Sequence, residues 1–201
     1  MTVFSLHKPL YHKPSFIRRS LLAFLILCCS SLILLSCDKA DNIYYRGTKA
    51  KFSYSFTNTI PELNAALNGY GEFCTIRTNG DTFIFANLKS STTRPYTKAE
   101  QQIKPMLGLS GFIVGRTNMP DIGAEEPAIV AFDLACPCYD EYATTRNLLL
   151  QDGGLAICNR CGRTYDLNNV MGVVVKGPTG RGLYRYPVSY NAMGNTLKVM
   201  N

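Results

Sequence analysis

An all-β fold of stacked antiparallel sheets is what this chain of 201 residues predicts, and three observations carry the expectation. Residues 51–56 alternate polar and aromatic side chains, the period of a strand buried on one face. Residues 72–78 and 82–86 flank Asn79-Gly80-Asp81, a hairpin turn signal. Beyond residue 110, short β-rich runs recur between glycine- and proline-marked turns, the pattern of a sandwich or partial barrel.

In chain order, 97–107 is the best helix candidate, with Thr97 as cap and a weak apolar stripe. Strands are expected at 111–115 and 128–134, then at 154–158 and 163–167, which bracket a cysteine pair. Three more follow at 171–176, 182–189 and 196–200, punctuated by Gly177-Pro178-Thr179-Gly180 and Asn191-Ala192-Met193-Gly194.

The first 36 residues read as an export signal. Lys8, Lys13, Arg18 and Arg19 make a basic start without an acid, and residues 21–35 are apolar but short of a full membrane span. The run ends Leu34-Leu35-Ser36-Cys37, which resembles the bacterial lipobox, cut before a cysteine that has been lipidated. An acylated Cys37 would make the membrane a stable partner and hold the protein, as a bacterial lipoprotein, facing the periplasm or the cell exterior. Residues 37–50 then read as a flexible tether and residues 51–201 as one domain, long enough for its own core.

Charge and composition narrow the function classes. Four of the cations behind the formal charge of +7 belong to the leader, and their loss leaves +3. No Lys/Arg run of the nucleic-acid type remains, so nucleic acid is not an expected partner. Both histidines, His7 and His12, also lie in the leader. Without them no Ser/His/Asp or Cys/His set can be built, and an independent catalytic activity is not expected. The paired acids Glu125-Glu126 and Asp140-Glu141 fall in loop-like stretches and read as solvated surface.

The chemistry lies in two cysteine pairs, Cys136-Pro137-Cys138 and Cys158-Asn159-Arg160-Cys161. Each pair closes a small loop that points two soft donors at one place, a strong metal-ligand signal. The second pair also has thioredoxin-type spacing, but that chemistry needs a helix start, and Gly162 with a β-like run follows instead. Cys74 sits in a strand-like segment and reads as a small buried apolar residue.

Residues 131–138 and 158–167 resemble the two cluster loops of the Rieske iron–sulfur domain, whose patterns are C-x-H and C-x2-H-G followed by an aromatic residue and Asp. Gly177-Pro178-Thr179 stands where that family has its covering proline loop, and the resemblance extends over about 111–201. It implies a Rieske-like sandwich with a two-hairpin metal-binding subdomain at its tip. Cys136 and Cys158 match the family's cysteines, while Cys138 and Cys161 occupy the histidine positions. Gly162, Tyr165 and Pro178 would surround the metal, with Tyr165 donating to a cluster sulfur. Arg163 replaces the serine that often follows the glycine.

Three occupants compete. Four thiolates can hold a 2Fe–2S cluster of low potential, making the protein an electron-transfer module for a redox partner protein. They can hold one Zn²⁺ in a closed structural site. They can also form cross-loop disulfides. The cluster is the first expectation and zinc the second. The strongly apolar leader suits export of an unfolded chain, which cannot bring a cluster with it, despite the minimal twin-arginine look of Arg18-Arg19.

Overall fold

A computed structural model describes residues 44–142 and 144–201; the leader and Cys37 lie outside the described residues. The alternating run becomes β1 (Ala50–Ser55), with Ala50, Phe52 and Tyr54 buried and the residues between them exposed. The expected hairpin is β2 (Phe73–Asn79) and β3 (Thr82–Ala86), closed by Gly80 and Asp81, and β4 (Ser91–Pro95) extends it. β5 (Met106–Leu107), β6 (Phe112–Arg116) and β7 (Ile129–Asp133) follow, and then β8 (Leu149–Gln151), β9 (Leu155–Ile157), β10 (Thr164–Asp166) and β11 (Val174–Lys176). The chain closes with β12 (Arg185–Tyr186), β13 (Val188–Asn191) and β14 (Thr196–Met200).

These strands make three antiparallel sheets. A six-stranded sheet has the order β12-β7-β6-β2-β3-β4, a four-stranded sheet β13-β14-β1-β5, and a separate four-stranded sheet β11-β10-β9-β8. The fold is therefore mostly β, with the second cysteine pair on a hairpin of the small separate sheet and the first on the connection that enters it from β7.

The six-stranded sheet is buried on both faces where the site is mounted. Phe112 and Val114 of β6 and Ala131 of β7 face the core shared with β1 and β14. Ile113, Val130 and Phe132 face the opposite core, which holds Leu134, Cys136, Cys138, Cys158, Tyr165 and Leu167. Adjacent residues thus serve two cores, which is why 111–115 and 128–134 read as continuous apolar runs rather than alternations. Phe52 meets Phe83 and Phe112 edge-on at 5.6 and 6.1 Å between centroids, the packing that fills the larger core.

Several elements differ from expectation. Residues 61–68 form a helix, α1 (Pro61–Asn68), that buries Leu63, Ala66 and Leu67. The helix expected over 97–107 is shorter, α2 (Lys98–Ile103). Its Thr97 cap is as expected: Oγ1 accepts from the Glu100 amide at 3.3 Å while the Glu100 carboxylate accepts from the Thr97 amide at 2.7 Å. Pro105 ends it by barring the residue before it from helical geometry, and Lys104 has φ 51°. The run 182–189 is split at Pro187 into β12 and β13, so it leaves the six-stranded sheet for the smaller one.

Candidate metal centre

The centre begins at the end of β7, where Asp133 turns the chain into the first cysteine loop. Its fully buried carboxylate accepts from the amides of Leu109 at 2.7 Å and Ala135 at 2.8 Å and from the Tyr186 hydroxyl at 2.8 Å. Beyond it, the Cys136 amide donates to the Arg146 carbonyl and the Leu148 amide to the Leu134 carbonyl, so the chain goes out and returns as a widened hairpin. The excursion contains one helical turn, α3 (Tyr139–Tyr142), starting directly after Cys138.

The second pair sits on the hairpin between β9 and β10. Ile157 pairs with Thr164, the Cys158 amide donates to the Arg163 carbonyl at 2.9 Å, and the Gly162 amide donates back to the Cys158 carbonyl at 2.9 Å. Closing that knuckle takes a left-handed residue, and Gly162 supplies it with φ 71°.

The two loops bring all four sulfurs together. Every separation among the Sγ atoms of Cys136, Cys138, Cys158 and Cys161 is within 4.8 Å. Two contacts cross between the loops: Cys136 to Cys161 and Cys138 to Cys158, each 3.7 Å. None of the four is in a disulfide; three are buried and Cys161 is partly exposed. This is a four-cysteine site able to hold a metal ion or a cluster.

The environment works on these thiols unevenly. Burial pushes the Cys136 thiol well above the ordinary range and the Cys138 thiol up to about 11. At Cys158 burial acts the same way, but the amides of Cys161 and Arg160 aim at its sulfur and hold it below the usual value. Buried thiols of this kind become thiolates when a cation takes the place of the proton.

The other residues singled out by sequence are also here. The Tyr165 hydroxyl lies 3.3 Å from Cys136 Sγ. Gly177 packs so closely on the second loop that a Cβ there would sit 2.5 Å from the Gly162 carbonyl oxygen. Pro178 is exposed and contributes its carbonyl, which accepts from Arg163 Nε at 3.2 Å.

What sequence reasoning missed is the set of arginines around the loops. Arg163 Nη2 donates to the Thr179 carbonyl at 2.9 Å, and its Nη1 pairs with Glu141 at 2.7 Å. Arg181 pairs with Asp140 at 3.2 Å. Arg160 donates to Thr144 Oγ1 and lies over the Tyr142 ring, 4.5 Å from its centroid. The acids Asp140 and Glu141, read from sequence as solvated, are therefore ion-paired. Arg163, standing where the resemblance puts a serine, was the visible signal of this.

No protein-family model matches the chain, and comparison with curated proteins finds no match. Fold and site together define a mostly β protein with a buried four-cysteine cluster in a hairpin region.

Proposed function

We propose that the four cysteines hold one metal ion, zinc, in a closed site that fixes the tip of a lipid-anchored, non-redox β domain. The observation behind this reading is the compactness of the sulfur cage. A zinc tetrahedron with Zn–S bonds of about 2.3 Å has edges of about 3.8 Å. Two cross-loop Sγ contacts are 3.7 Å and no separation exceeds 4.8 Å. The excess over that edge is about 1 Å at most, less than the distance that must separate two metal atoms. A cluster would have to set the sulfurs on different irons farther apart than they stand here.

Donor chemistry admits zinc, because four thiolates suit it as they suit iron–sulfur. Such an ion supplies folding free energy to a small sheet that has little core of its own. Anchoring through Cys37 rests on the lipobox resemblance. Substituting Cys37→Ala should leave the leader uncut or release the protein from the membrane, and unchanged fractionation with a cleaved leader would refute it.

The 2Fe–2S electron-transfer reading is retained as a second one, favoured by Tyr165, whose hydroxyl meets Cys136 Sγ where the Rieske pattern has a sulfur-donating tyrosine. Elemental analysis and a visible spectrum of protein purified without oxygen separate the two. One zinc per chain and no colour supports the single-ion site. Two irons with acid-labile sulfide and a brown colour would replace it with the cluster. Neither metal, with no titratable thiols among the four, would leave disulfides.

A further inference from the structure

We infer that α3 is a latch over the metal centre, gripped by three arginines, and that release of this grip sets how fast the ion leaves. The inference rests on the single-ion reading and adds what controls the site.

Three consecutive residues of α3 are each held by a different arginine. Asp140 is held by Arg181 of the covering segment, Glu141 by Arg163 and Tyr142 by Arg160, the last two from the second cysteine loop. Among the described residues, these grips, with the Tyr184 hydroxyl beside Asp140, are what hold the side chains of this turn. It has four residues and buries none of them, and one helical turn alone is below the length at which helix formation is favourable.

The turn is also wired to the ligands. The amides of Tyr139 and Asp140 donate to the carbonyls of Cys136 and Pro137, and those of Glu141 and Tyr142 both donate to the carbonyl of Cys138. Lifting α3 therefore pulls on Cys138, while the arginines that hold it down belong to the loop of Cys158 and Cys161. The clamp spans the same gap as the metal.

The three grips are not equal. Arg163 has a side chain only 7% exposed and spends its donors on Glu141, Pro178 and Thr179, tying three loops at one guanidinium. Stranding a buried charge is costly. The pair of Arg181 and Asp140 is half-exposed on both sides, where an ion pair contributes little and is screened by salt. Arg160 over Tyr142 is of the exposed cation–π type.

The test uses full-length protein in detergent, loaded with zinc, with the rate of zinc transfer to an excess of a chromophoric chelator as the readout. Glu141→Gln should speed release by about tenfold or more, the loss expected for a charged hydrogen bond. Arg163→Lys, which keeps the charge but loses the fork, should fall between Glu141→Gln and the native protein. Arg181→Gln should change the rate by less than about fivefold. Amide exchange gives a readout independent of metal: 139–142 should exchange faster in Glu141→Gln while β6 and β7 stay unchanged. Release by Glu141→Gln at the native rate overturns the latch, as does exchange that rises equally in β6 and β7. A native protein that binds no ion overturns the proposed function instead, and exchange at 139–142 in the metal-free chain then decides whether the arginines hold the turn.

Discussion

Asp133 shows how much of the site rests on a single buried carboxylate. It receives three donors at 2.7 to 2.8 Å, yet burial outweighs them and raises its pKa above the ordinary range. The folded state therefore holds this proton more tightly than the unfolded chain. Stability from this group is fully present below the ordinary carboxylate pKa, near 3.9, and is lost as pH rises through the folded value. In urea unfolding between about pH 3 and 7, the stability of the native protein minus that of Asp133→Asn should fall as pH rises. The subtraction removes what both share, including the thiols. A difference that grows with pH would show that the three donors stabilise the anion. Gly108 is bound to the same group: at φ 66°, a Cβ would lie 2.3 Å from Asp133 Oδ2 and 2.5 Å from the Tyr186 hydroxyl. Gly108→Ala should cost about 3 kcal/mol by breaking that network, read as a shifted denaturation midpoint. The four cysteines were legible in the sequence because soft donors at such spacings have few other uses. Asp133 was not, since its three partners are 24, 2 and 53 residues away and only the folded chain brings Leu109 and Tyr186 to it.

Among the elements, the knuckle and the covering loop separate two uses of glycine. At Gly162 the backbone is left-handed but a Cβ would meet nothing within 4 Å, so Gly162→Ala should cost only about 1 kcal/mol of left-handed strain. At Gly177, with φ 97°, a Cβ would meet the Gly162 carbonyl oxygen at 2.5 Å and Arg163 Cα at 3.0 Å, both backbone. Gly177→Ala should therefore cost more, about 2–3 kcal/mol, and shift the covering loop. Equal effects, measured by denaturation of the metal-loaded protein, would show that the two loops do not pack as described. Local signals read well where they were complete, as with the hairpin at Gly80-Asp81 and the Thr97 cap. They misled where a single residue overrode a pattern: Pro105 stops α2, and Pro187 sends one strand run into two sheets. α1 went unread because its eight residues are too few to stand out. Its stripe of Leu63, Ala66 and Leu67 gains meaning only from packing against the larger core.

For the whole molecule, the two-faced sheet divides stability in two. The larger core, between β1, β14 and the inner face of β2, β3 and β6, contains no metal-site cysteine, whereas the smaller one contains three. Removing the ion with a chelator should raise amide exchange in β9 and β10 by about tenfold or more while β1, β2, β3 and β14 keep their protection. Loss of protection throughout would mean that the sandwich cannot stand without the tip. The sequence announced stacked antiparallel sheets but not that one sheet serves two cores, because a continuous apolar run does not say how many faces are covered. The proposed site has four thiolates around one ion, and X-ray absorption at the zinc edge of the native protein reads that shell. Four sulfur scatterers at about 2.3 Å with no second metal in the next shell are expected; a metal–metal vector with bridging sulfides at the iron edge, and no zinc, would overturn the single-ion site.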